Sequence, residues 1–262
     1  YNSEENVDAY SFNLDFEKKF EKNQFYYGVE YVLNNISSEG KRKNIISEVE
    51  TPDTPRYPDE SSWQSIAAYS SFQWELHPEL KMNTGARYNH ILLNAGFDDE
   101  LYSFPFKDAD ISTGALTGSM GFSWNPKKGM NWKLNFSTAF RAPNIDDAGK
   151  IFDSEPGAVI VPNPDLKPEY AYNWELGLDW KISEVFKFEV ATFYTHLDNA
   201  LVRRDFDLNG ETTILYQGEP SHVQALQNAA SAYVYGFEGG FETEFSNTLL
   251  LSSTLTITEG ME

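Results

Sequence analysis

Residues 170–182, YAYNWELGLDWKI, place a large apolar side chain at every second position: Tyr170, Tyr172, Trp174, Leu176, Leu178, Trp180 and Ile182. Between them stand Ala171, Asn173, Glu175, Gly177, Asp179 and Lys181. A period of two sends successive side chains to opposite faces of a β-strand. One face is then too apolar for water, and the other too charged for a dry core. Which face looks inward decides whether this is a soluble sheet protein or a wall in a membrane.

The same alternation recurs along the chain. Tyr10, Phe12, Leu14 and Phe16 alternate with Ser11, Asn13, Asp15 and Glu17, and Trp132, Leu134, Phe136 and Phe140 oppose Lys133, Asn135, Ser137 and Arg141. Comparable runs are IAAYSSFQWEL, KMNTGARYNH, LTGSMGFSW, FKFEVATFY and YVYGFEGGFETEF. About ten strands and no helix are expected from these runs. Their connections alternate between short (20–23, 77–79, 125–130, 183–184, 246–247) and long (37–62, 95–114, 142–169, 203–221). An up-and-down meander with all turns at one end and all loops at the other produces that asymmetry, and outer-membrane barrels show it.

A soluble sandwich also alternates, but its strands average about 5–6 residues. The runs here reach about 10 or more, which a tilted strand needs to cross a bilayer. Trp74, Trp124, Trp132 and Trp180 lie close to short turns, where an aromatic girdle meets the lipid–water boundary. Charges at mid-strand, such as Arg87, Glu175 and Glu238, suit a wet lumen. The expected fold is therefore all-β, an antiparallel up-and-down transmembrane barrel with its aromatic face in lipid. Long unpaired first and last strands would be exposed edges, so residues 1–262 are expected to be a slab of a larger barrel.

Composition narrows the function. The chain has no Cys, which removes disulfides and thiolate chemistry. Its formal net charge of −20 argues against a nucleic-acid partner. No phosphate-binding glycine loop, nucleophile elbow or paired-His metal helix is present, so no enzyme and no cofactor are expected.

Two motifs stand on either side of one long loop: FRAP (Phe140, Arg141, Ala142, Pro143) and NPDLKPE, with Asn163, Pro164, Leu166, Lys167, Pro168 and Glu169. Together with LKMNTGARYNH, FEVATFYTHLDNAL and QNAASAYVYGFEGGFETEF, in that order along the chain, they resemble the TonB-dependent outer-membrane receptors. The resemblance implies a 22-stranded barrel in the outer membrane of a Gram-negative bacterium, occluded by an N-terminal plug domain that this chain lacks. It also implies uptake of a scarce small-molecule ligand such as an iron chelate, energised by a TonB complex acting through that plug. A ferric siderophore is the first expectation; haem, cobalamin or another nutrient is the alternative within the family. A passive porin or a soluble β-rich adhesin lies outside it.

Arg87, Asn89, Asn135, Arg141, Asn173, Glu175 and Glu238 are the lumen-facing candidates. Arg141 is expected to pair with Glu175 or a neighbouring acid, or else to serve a plug carboxylate or a ligand anion. The prolines of the loop are read as architecture that folds it back over the mouth. Acidic residues crowd the loops: Asp146, Asp147, Asp153, Glu155, Asp165 and Glu169 in one, Asp98, Asp99, Glu100, Asp108 and Asp110 in another. Without the spacing of a calcium loop they read as a solvated face, and no metal site is assigned. Residues 144–162 hold no His and no Tyr, so that loop is not expected to supply an axial haem ligand.

Overall fold

A computed structural model describes residues 2–53, 55, 57–97, 107–148, 152–155 (backbone only), 157–216, 218–246 and 248–261. Ten long strands follow one another in chain order: β1 (Asn2–Lys19), β2 (Gln24–Lys43), β4 (Ser61–His77), β5 (Leu80–Gly96), β6 (Asp108–Lys127), β7 (Met130–Arg141), β10 (Glu169–Lys181), β11 (Phe186–Asp205), β13 (Glu219–Ser246) and β14 (Leu249–Met261). Each pairs antiparallel with its predecessor, as the meander predicts. Four short strands decorate one end: β3 (Glu50–Asp53) on β2, and β8 (Phe152–Glu155), β9 (Ala158–Ile160) and β12 (Thr213–Tyr216) around the start of β13. The β9–β13 pairing is parallel, an exception within the sheet.

At one rim the strands close in tight turns. Gly129 takes φ +80°, and a Cβ there would lie 2.7 Å from the Lys181 carbonyl oxygen, so this turn requires glycine. The strands outrun the expected boundaries at the other rim. β2 continues through residue 43, and β13 reaches 28 residues, about 90 Å of extended chain. Only about a dozen residues are needed to cross the hydrocarbon layer. Because the tight turns hold one rim level, the surplus length rises beyond the other.

Register settles the faces. Trp174 lies opposite Phe136, and Glu175 opposite Asn135; residues directly opposite share a face. Phe136, Trp174 and Tyr194 form a row with ring centroids 5.4 and 5.8 Å apart. Phe12, Leu14, Leu116, Leu134, Trp174, Leu176 and Phe237 are all well exposed on this side. A folded chain does not leave so continuous an apolar surface to water, and the pattern fits lipid. Near the tight turns Trp74 and Trp124 are exposed and the Lys127 ammonium sits 4.4 Å above the Trp180 ring, the arrangement of an interfacial girdle.

The clusters of buried hydrophobic side chains lie at the loop end. One cluster joins Leu93, Ala95, Ala109 and Ile111 of β5 and β6 to Ile145, Ala148 and Leu166 of the loop between β7 and β10. A second joins Val159, Val161, Leu208, Tyr216, Val223 and Ala225. Among the described residues the helical content is α1 (Ile145–Ala148), a single turn within that loop.

Candidate functional site

The inner face changes character with height. Low and mid-wall it is polar. Arg87 donates to Glu30 at 2.6 Å and to Asn89 Oδ1 at 2.7 Å, and Asn89 Nδ2 donates to Ser65 Oγ at 3.1 Å. The Arg87 guanidinium lies 5.4 Å from the Tyr69 ring centroid, and the Tyr69 hydroxyl covers Gly28, where a Cβ would come within 2.5 Å of it. Farther round the wall, Thr195 Oγ1 donates to Asn173 Oδ1 at 2.7 Å. Asn135 faces Gly121 across one ladder and Glu175 across the other, and Glu238 lies opposite Ala191 and Thr256. The seven lumen candidates therefore share one face but do not converge. Arg87 and Asn89 form one network; Asn135, Asn173 and Glu175 form a neighbouring patch.

Above that band the same inner face turns apolar. Ile91, Leu93 and Ala95 continue the β5 positions of Arg87 and Asn89, and Ile111 and Ala109 lie opposite Leu93 and Ala95. Against them rests the loop that carries both motifs, folded inward by three devices. Arg141 donates to both carboxylate oxygens of Asp147, at 2.6 and 2.8 Å, and to Glu169 at 3.0 Å. Asn144 caps α1: its Oδ1 accepts the Asp147 amide at 2.9 Å, and Asp147 accepts the Asn144 amide at 3.1 Å. Pro143, Leu166 and Pro168 are buried, whereas Phe140 points to the lipid side beside Tyr170.

The third device ties the NPDLKPE segment to β13. Asn163 Nδ2 donates to the Leu226 carbonyl at 2.7 Å. Asn228 Oδ1 accepts the Lys167 amide at 2.7 Å, while its Nδ2 donates to the carbonyls of Lys167 and Asn199, both at 2.8 Å. A bulge between Leu197 and Leu201 presents that Asn199 carbonyl, with Asn199 at φ 56°. Glu169 also accepts the Leu201 amide.

Of the partners expected for Arg141, the neighbouring acid is the one present: it pairs with Glu169 and Asp147 and not with Glu175, which sits three inward positions farther down β10. Asn228 and Glu30 were not singled out from sequence, where only the QNAA run pointed near Asn228; Asp147, expected on a solvated acidic face, is instead mostly buried as a partner of Arg141. Of the acidic loops, Asp98, Asp99 and Glu100 lie outside the described residues. Among those described, no three His, Asp or Glu side chains gather as a metal site would require.

The four histidines separate by position. His77 lies at a tight turn, His90 pairs with Gly114 on the lipid side, and His196 stacks on Tyr172 there at 6.4 Å. His222 lies on the side of β13 that carries Leu226, which packs on the inner cluster. Its Nε2 is 2.9 Å from Asp205, and this hydrogen bond holds the Asp205 carboxyl below its ordinary range.

A family model described as TonB dependent receptor-like, beta-barrel matches residues 1–260. Hemoglobin-haptoglobin utilization protein B of Neisseria meningitidis serogroup A / serotype 4A is 24% identical over 250 residues, covering 86% of this chain and 30% of that protein. Its serogroup C counterpart is 30% identical over 177 residues, covering 60% and 21%. This chain thus spans less than a third of these curated relatives. Among solved structures, the copper transporter OprC superposes with a TM-score of 0.77 at 11% identity, over 98% of this chain and 38% of that one. The siderophore receptor PirA from Pseudomonas aeruginosa does so with a TM-score of 0.72 at 17% identity, over 98% and 44%. Those two likenesses show the fold. With the sequence match over nearly its whole length, the chain belongs to the TonB-dependent receptors, within the β-barrel.

Proposed function

We propose that this chain is a wall of an outer-membrane receptor that imports iron as haem, drawn from a haem-carrying protein and energised by TonB through a plug domain. The observation that supports import is the inward-folded motif loop, clamped over an apolar ring at the top of a polar lumen. A wall built that way narrows a mouth and leaves a wet path beneath it. The choice of haem is supported by the curated relatives, both named for haemoglobin–haptoglobin utilisation. His222 adds to it, an imidazole on the inner side of the external rim with a carboxylate behind it, the kind of group that meets a haem iron. A ferric siderophore is the second reading, favoured by the absence of His and Tyr from residues 144–162.

The test is a haem titration of the full-length receptor in detergent, followed by its absorption spectrum. Haem binding should survive replacement of residues 144–162 in its ligand-field signature and change that signature on His222→Ala. Tight ferric-siderophore binding with no haem binding would overturn the haem reading and leave the receptor reading standing.

A further inference from the structure

The turn between β6 and β7, NPKKGM (125–130), is fixed on both flanks. The Asn125 amide donates to the Glu79 carbonyl at 2.7 Å, and the Gly129 carbonyl accepts the Lys181 amide at 2.6 Å. Register gives the turn a lipid-side row: Lys127 lies opposite Met130, and Met130 opposite Trp180, so the three share a face. In the next such row Trp124 lies opposite Trp132, and Trp132 opposite Leu178. The Lys127 ammonium sits 4.4 Å above the Trp180 ring, and Lys128 beside it is exposed. The acids of the adjoining strand and turn, Asp179 and Glu184, are held by Lys133 and Lys181. Glu79 gives this turn its backbone carbonyl and not its carboxylate. Among the described residues, neither Lys127 nor Lys128 has an ion-pair partner.

Charge on the lipid-facing side is sorted by height. Acids stand at the loop end of the apolar band: Asp8 above Tyr10 on β1, Asp198 opposite Tyr170, and Glu259 opposite Tyr235. Lys41, higher on the same face, is held by Glu39 at 2.9 Å. At the tight-turn end the strands carry cations there instead, Lys18 at 5.4 Å from the Phe20 ring centroid and Lys127 over Trp180. In outer-membrane barrels the short turns face the periplasm. We infer that the β6–β7 turn binds the headgroup of an anionic phospholipid in the periplasm-facing leaflet, with Lys127 and Lys128 donating to its phosphate oxygens. The height is that of a headgroup, because Trp124, Trp132 and Trp180 mark the boundary between lipid and water. An ammonium seated over a ring keeps N–H donors for an oxygen acceptor. Two cations with no acid to neutralise them favour a net negative headgroup over a zwitterionic one, whose own ammonium they repel. The inference concerns how the wall meets the membrane and does not depend on what the receptor imports.

The test uses the full-length receptor in detergent, titrated separately with phosphatidylglycerol and phosphatidylethanolamine. Native mass spectrometry resolves each bound lipid. The wild type should hold a phosphatidylglycerol more tightly than any phosphatidylethanolamine. Lys127→Gln with Lys128→Gln should weaken that step by about 30-fold, at about fivefold for each lysine near an anionic headgroup, and leave the phosphatidylethanolamine steps as they were. Lys127→Arg with Lys128→Arg should keep the preference. Lys128→Gln alone changes one exposed side chain and should cost about fivefold; it decides the matter if the double variant does not fold.

Equal affinity of the wild type for the two lipids, or phosphatidylglycerol binding unchanged in the glutamine variants, would overturn the inference. So would displacement of phosphatidylglycerol by an equimolar amount of inorganic phosphate, the mark of a site for a soluble anion. Equal weakening of both lipids in the double variant would show apolar contact without headgroup recognition and would overturn it as well. None of these outcomes touches the receptor reading, which the haem and siderophore titrations decide separately.

Discussion

Arg141→Met should free the motif loop from the inner wall without unfolding the barrel. Arg141 makes three hydrogen bonds to carboxylate oxygens, two to Asp147 and one to Glu169. Its own side chain is 49% exposed, so solvent screens its share towards the surface-pair value of about 1 kcal/mol or less. Asp147 decides the magnitude. Its side chain is 8% exposed, and after substitution its carboxylate keeps the Asn144 amide as partner. Removing one partner of a buried pair costs about 3–5 kcal/mol when burial is complete. Half-exposed Arg141 and the retained amide reduce that to about 2–3 kcal/mol for local opening. Hydrogen exchange reads this directly at the amides of Asn144, Asp147 and Ala148, which close the turn of α1. Their protection should fall by about 30- to 150-fold, while amides in the middle of β6 and β7 keep theirs. Adding Asp147→Asn should recover part of the loss, since the stranded charge is gone. Unchanged exchange at α1, or a loss spread evenly along β7, would refute the clamp.

Three further outcomes follow from the geometry. Phe136→Arg puts a charge at mid-strand on the lipid face beside Trp174, and refolding into lipid vesicles should lose about 2–4 kcal/mol of stability; no loss would argue against lipid exposure. Asn228→Ala removes three hydrogen bonds to Lys167 and Asn199 and should weaken the seating of the NPDLKPE segment by about 1–2 kcal/mol, seen as faster proteolysis within 142–168 at unchanged barrel melting. Gly28→Ala would bring a Cβ within 2.5 Å of the Tyr69 hydroxyl and 2.6 Å of the Leu14 carbonyl oxygen, so a cost of about 1–3 kcal/mol is expected in urea refolding. Tyr69→Phe should relieve only part of it, because the Leu14 backbone remains.

The wall was legible from residues 170–182 alone. A strand has a period of two, and a one-residue slip would send Trp174 into the lumen and Glu175 into lipid. Hydrophobic pattern and register are thus the same constraint stated twice, and the ladder observed, Trp174 opposite Phe136 and Glu175 opposite Asn135, is the one that satisfies it. Turn lengths carried the topology for a similar reason: two or four residues can join only neighbouring antiparallel strands.

What fills the inner face was decided elsewhere. NHILLNAGF and DADISTGALTG alternate just as the lower strands do, and nothing in their spacing says that Leu93 and Ile111 meet Ile145 and Leu166. Alternation reports which side a residue is on, whereas contact with a distant loop depends on how that loop closes. Arg141 shows the difference. A neighbouring acid on β10 was foreseeable from the strand pattern, and Glu169 meets that expectation. Asp147 becomes a partner only because Asn144 turns the chain into α1. The bond between Asn228 and Lys167 spans 61 residues and depends on a bulge at Asn199 that no periodicity announces. Local chemistry set the two faces of the wall; the long-range fold of one loop onto the upper inner face made the mouth, because there apolar residues from six strands and that loop exclude water together.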